Sequence, residues 1–162
     1  MKRSFWKALL VFALIAAMLC GCGKVTLKEF SFEEVTITLP SNLKDISTEV
    51  SGFTFAVANT KVFVFGLREE FSLFESLGTL TLEEYTDLVL SANGMEDKTA
   101  TQRDGYYTFS FESEVEGDTF AYLAGTFQAE DAFWLIQCSC KADDFAKNES
   151  AFIQYLDSVK FS

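Results

Sequence analysis

Apolar and polar positions along this chain follow two periods, and their succession lays out the elements. Val35-Thr-Ile-Thr-Leu39 alternates with the period of two that a half-buried strand requires, and stops at Pro40-Ser-Asn, a turn signal. Phe53–Val57 and Val62–Leu67 are apolar runs separated by Asn59-Thr60-Lys61, which reads as a β-hairpin. Phe71–Leu77 fits either a loop or a single helical turn. Thr81-Leu-Glu-Glu84 is a capping box, in which the threonine caps the first turn and Glu84 reaches back. Leu82, Tyr85, Leu88 and Val89 then keep helical spacing until Asn93-Gly94 supplies a stop. Tyr106–Val115, Thr119–Gln128 and Phe133–Cys140 read as an antiparallel meander with turns at Glu116-Gly117 and Ala129-Glu130-Asp131. Asp143 or Asp144 is expected to cap a last helix whose apolar face is Phe152, Ile153, Leu156 and Val159.

Ahead of these elements the pattern changes. Met1–Lys7 is a short positive region and Ala8–Leu19 an uncharged apolar one. A spanning helix needs about 20 apolar residues, so this run is of signal-peptide length. It ends in Leu19-Cys20-Gly21-Cys22, which resembles the lipobox of bacterial lipoprotein signals: Leu19 at −3, the small Cys20 at −2, Gly21 at −1 and Cys22 at +1. The resemblance implies signal-peptidase recognition through Leu19, Cys20 and Gly21, and lipidation of Cys22. Cleavage before Cys20 would put the bulky Leu19 at −1 and fits poorly; the competing reading is an uncleaved signal anchor. A thiol is the group that takes a diacylglycerol as a stable thioether. At about 0.8 kcal/mol per buried methylene, two acyl chains such as palmitate anchor stably where one does not. Gly23 lacks the acidic signal that retains such proteins at an inner membrane, so an outer membrane is also open where the host has one.

Strands in two groups, with one helix between them and another at the end, predict an α+β fold, an antiparallel β-sheet with helices packed on its faces. The order of Val35–Pro40, the hairpin Phe53–Leu67, the helix at Thr81–Tyr85, the strand Phe133–Cys140 and the closing Phe152–Phe161 resembles the PsbP-like fold shared by DcrB-like bacterial lipoproteins. The resemblance covers nearly all of the chain after Cys22 and implies a PsbP-like α/β/α sandwich. Members of that fold act mostly as accessory or binding proteins without a common catalytic set, so it brings no site residue with it. The expected organisation is a signal peptide over 1–21, a short lipid-anchored tether over 22–28 and a single α+β domain over 29–162.

Composition narrows the function. Thirteen basic and 24 acidic residues give a net charge of −11, and Lys2, Arg3 and Lys7 would leave with the signal. A surface this acidic is repelled by phosphate backbones, which argues against nucleic acid as a partner. Eighteen phenylalanines favour a packed β-rich interior over disorder. The absence of histidine removes His-based triads, HExxH zinc sites and histidine pH switches.

The remaining candidates are few. Cys138 and Cys140 share a strand face with Trp134 and Ile136, about 6.5–7 Å apart along an extended chain and with parallel side chains, at the edge of disulfide range. A metal site there needs two more ligands; buried free thiols under a helix are the expected case. Glu112, Glu114, Glu116 and Asp118 lack the spacing and central glycine of a calcium loop, and read as a solvated sheet face. Glu83 and Asp87 read the same way on the first helix. No nucleophile-elbow, SxxK, P-loop or dinucleotide motif is present. Catalytic residues, metal and cofactor are therefore expected to be none.

The expectation is a non-enzymatic lipoprotein on the extracytoplasmic face of the cell membrane. It holds a protein partner or envelope component, and contacts the membrane through Cys22, with Lys24 and Lys28 suited to anionic headgroups. The alternative is a small-molecule-binding lipoprotein, with Tyr85, Tyr106, Tyr107, Tyr122 and Trp134 lining a cleft between sheet and helix.

Overall fold

Thr26–Ser162 are described here, in a computed structural model; Leu19, Cys20, Gly21, Cys22 and Lys24 lie outside the described residues. In chain order the strands are β1 (Leu27–Phe32), β2 (Val35–Pro40), β3 (Lys44–Asp45), β4 (Phe55–Ala58), β5 (Phe63–Glu70), β6 (Thr101–Gln102), β7 (Tyr106–Val115), β8 (Asp118–Gln128), β9 (Ala132–Lys141) and β10 (Lys160–Phe161). A 3-10 helix covers Phe71–Leu77, and the α-helices are α1 (Leu82–Ala92) and α2 (Ala142–Asp157). Seven strands form one sheet in the order β3-β4-β5-β9-β8-β7-β6, and three form a smaller sheet, β1-β2-β10. All these pairings are antiparallel.

The two strand groups of the sequence thus merge: β5 pairs with β9 from Phe63↔Ser139 to Glu70↔Ala132. β9 is central and covered on both faces, which is why Phe133–Cys140 shows little polar alternation. One face, carrying Leu123, Phe127, Trp134, Ile136, Cys138 and Cys140, packs against Phe152, Tyr155 and Leu156 of α2 and Val35, Ile37 and Leu39 of β2. The opposite face, carrying Phe109, Ala124 and Phe133, is covered by Phe74 of the 3-10 helix and Tyr85, Val89 and Leu90 of α1. Further along that face, Ile46, Val50 and Phe53 cover Ala56, Phe65 and Tyr122. The antiparallel α+β sandwich expected from the pattern is the fold observed. Each large aliphatic or phenylalanine side chain taken out of water here contributes about 1.5–3 kcal/mol.

Local chemistry explains most boundaries. Val115 pairs with Asp118 across the two-residue loop Glu116-Gly117, whose φ angles of 53° and 87° suit the tight hairpin turn that matches strand twist. Gly66 has no side chain because the Phe55 ring occupies that space. The capping box at Thr81 and Glu84 forms in both directions. The second cap is corrected. Neither Asp143 nor Asp144 caps α2; β9 runs directly into the helix, Lys141 holds the N-cap position without a side-chain hydrogen bond, and both aspartates fall in the first turn. There they still complement the helix dipole. Val159 lies beyond the end of α2 at Asp157, packed against the core.

The molecule has two distinguishable ends. At the Phe63 end of β5, Asn59 Nδ2 donates to Asn42 Oδ1 at 3.3 Å, and the Thr26 and Ser41 hydroxyls are 2.9 Å apart. At the Glu70 end, Arg68 Nε meets Glu34 Oε1 of the β1–β2 turn at 2.8 Å. The eight residues of β5 set these ends roughly 20–25 Å apart. The chain enters the fold at the first and the 3-10 helix departs from the second.

Candidate functional site

The residues nominated by sequence are placed apart from one another. Cys138 and Cys140 are free thiols buried beneath α2. Burial pushes both thiols up, with the neighbouring Cys140 adding to the effect at Cys138, so neither is a ready nucleophile at neutral pH. Glu112, Glu114, Glu116 and Asp118 are exposed, as are Glu83 and Asp87. Among the described residues no group of three acidic, cysteine or histidine side chains is arranged to hold a metal ion.

Four of the five aromatics expected at a cleft are packed in the interior. Trp134, Tyr85, Tyr106 and Tyr122 are buried, and Tyr107 is half-buried. Tyr85 stacks on Phe133 with ring centroids 4.3 Å apart, and Phe74 meets both rings edge-on. The space between α1 and the sheet, where a small ligand was a possible occupant, is filled at these positions.

Two surface grooves lie elsewhere. One, of about 540 Å³, runs beside Ser110–Ser113 of β7 and the loop after α1, with Met95, Phe111, Ala121 and Phe145 as its apolar part. It exists because β6 pairs only with Tyr107 and Thr108, leaving the outer edge of β7 uncovered by a strand beyond them. The other, of about 380 Å³, lies under the 3-10 helix and is lined by Phe71, Phe74, Leu80 and Phe133 with Ser72, Glu75, Thr79 and Gln128. The segment that walls it also carries Leu73 and Leu77, exposed by 61% and 59%. With Leu27 at the opposite end, these are the large exposed hydrophobics of the described residues. Sequence reading missed this site, although two outward leucines in a segment without helical or strand period were a usable signal.

Beside this groove an electrostatic node fixes the backbone. Arg68 donates through Nε to Glu34 at 2.8 Å, through Nη1 to Glu70 at 3.1 Å and through Nη2 to Asp131 at 2.7 Å. Trp134 Nε1 donates to the same Glu34 oxygen at 2.9 Å. One guanidinium thereby ties the β1–β2 turn, the end of β5 and the β8–β9 turn. Next to it, Tyr85 donates its hydroxyl to Glu69 Oε2 at 2.7 Å. Burial raises the Glu69 carboxyl above its ordinary value, partly offset by that hydrogen bond. The node and the tyrosine–carboxylate pair hold the scaffold at this end.

No protein-family model and no curated protein matches the sequence. Among solved structures, the chain is similar to one from Bacteroides thetaiotaomicron, with a TM-score of 0.58 at 8% identity over 83% of this chain. It spans about half of that protein, 48% of its length. It is also similar to the Ran-binding protein Mog1p of Saccharomyces cerevisiae, with a TM-score of 0.55 at 11% identity over 85% of this chain and 96% of that one. These two likenesses show the fold, and at such identity the fold alone. Cyanobacterial PsbP from Synechocystis aligns over 91% of this chain and 99% of its own at 13% identity, with a TM-score of 0.49.

Proposed function

We propose that this chain is a lipoprotein anchored through Cys22 on the extracytoplasmic face of the membrane. Its PsbP-like α+β domain is a binding or accessory module for a protein partner or envelope component, without catalysis. The observation that carries the anchor is Leu19-Cys20-Gly21-Cys22 behind a positive and then an apolar segment. The described part of the chain supports the same arrangement. Thr26 lies four residues after Cys22, a span of at most about 14 Å, and the end of the fold it enters carries the exposed Leu27. Lys28 stands there too, its ammonium 4.3 Å from the centre of the Phe30 ring. This end faces the lipid.

The binding reading gains from the filled space between α1 and the sheet and from the exposed leucines at the other end, because an apolar surface of this kind is how a soluble face receives a partner. Cross-linking in intact cells followed by recovery of the full-length chain from the membrane fraction is the test. A protein recovered reproducibly with it is the expected result; recovery of abundant lipids alone contradicts the partner role.

A further inference from the structure

Resting on the binding role above, we propose that the end of the domain remote from the tether docks a cationic, leucine-bearing segment of a protein partner. The docking surface is the groove under the 3-10 helix together with Leu73 and Leu77.

Three observations converge on that chemistry. First, the surface is apolar where a soluble protein is ordinarily polar: Leu73 and Leu77 are exposed by 61% and 59%, beside a groove floored by Phe71, Phe74, Leu80 and Phe133. An aliphatic side chain entering the groove meets aromatic walls, and the polar groups at its mouth, Ser72, Thr79 and Gln128, are themselves exposed. Second, the frame is acidic without relief. From Glu70 to Asp87 the chain carries Glu70, Glu75, Glu83, Glu84 and Asp87 and no lysine or arginine. Among the described residues their one ion pair is Glu70 with Arg68, a guanidinium already shared with Glu34 and Asp131. Glu130 and Asp131 add two carboxylates from the β8–β9 turn. A partner that brings lysine or arginine around its apolar anchor is steered in and neutralises this frame. Third, the surface lies at the Glu70 end of β5, away from Thr26.

Position and sign together exclude the other occupants. An anionic bilayer is repelled by the frame and lies at the opposite end. A second copy meeting this face symmetrically sets carboxylates against carboxylates.

The test uses the full-length chain in phosphatidylcholine nanodiscs, with empty nanodiscs subtracted. The probe is a fluorescein-labelled peptide with two leucines four positions apart among lysines, compared with the same peptide carrying glutamate for lysine. The lysine peptide is expected to bind, more weakly as salt rises, and the glutamate peptide not to bind. Leu73→Ser with Leu77→Ser lowers affinity about tenfold or more, and Glu75→Lys lowers it as well. Glu112→Lys with Glu114→Lys, far from the groove, leaves it unchanged. Both leucines are exposed, so the double variant folds, and its melting temperature checks this. Equal binding by the double variant, or an equal loss on reversing Glu112 and Glu114, overturns the proposal by reducing the effect to net charge; so does absence of binding. Cross-linking of the double variant in cells separates the two levels. A partner captured equally by both forms removes the docking site and leaves the binding role, whereas no partner with either form removes the role itself.

Discussion

At the scale of single residues, the polar contacts that fix this fold join positions distant in sequence. Glu33 has a φ of 48°, a left-handed conformation that costs a non-glycine residue about 1–3 kcal/mol. It is held because its neighbour Glu34 accepts hydrogen bonds from Arg68 and Trp134, while Ser162 N donates to the Glu34 carbonyl at 2.9 Å. No local pattern announces such a node, since Arg68 lies 34 residues from Glu34 and 63 from Asp131. The Glu69–Tyr85 pair is hidden in the same way, and it makes a pH-dependent contribution with a definite sign. Burial raises the Glu69 carboxyl in the folded state, so between its unfolded and folded pKa values the folded protein holds more proton. Stability therefore falls as pH rises through that interval, starting from the ordinary glutamate range. Glu69→Gln keeps an acceptor for Tyr85 but cannot ionise. Unfolding followed over a pH series should show wild type losing stability relative to Glu69→Gln as pH rises, then a constant difference. A difference that grows in favour of wild type contradicts this.

At the scale of elements, what was legible was what is local. The capping box is written within Thr81–Glu84, and the structure shows Thr81 N donating to Glu84 at 2.8 Å and Glu84 N donating to the Thr81 hydroxyl at 3.2 Å. Thr81→Ala is expected to destabilise the protein by about 1 kcal/mol, with faster amide exchange in the first turn of α1, and Thr81→Ser to recover most of it. An unchanged stability and exchange rate for the alanine variant would show the cap to be idle. The start of α2 was misread because Asp143 and Asp144 are good caps in isolation, whereas the register of β9 decides where the helix begins. Phe71–Leu77 was ambiguous for a related reason: only Phe74 is buried, too few anchors for a periodic signal. The helical spacing of α1 gives no sign of Thr86, whose hydroxyl lies 2.7 Å from that of Thr126 and joins α1 to β8 inside the core.

At the scale of the molecule, the pattern was sufficient for an antiparallel α+β sandwich and insufficient for its topology. The insertion of β5 beside β9 and the separate β1-β2-β10 sheet depend on pairings between remote strands, which periodicity does not encode. Nor does periodicity show that the chain enters at one end of β5 while the exposed leucines of the 3-10 helix lie at the other. That polarity gives the proposed anchor a consequence: lipid at one end and a partner at the other. The central claim, that Cys22 carries lipid, is tested most directly by growing cells with labelled palmitate. The account predicts label in the wild-type chain, and for Cys22→Ala loss of both the label and its retention in the membrane fraction. A wild-type chain without label, or label that survives Cys22→Ala, contradicts it.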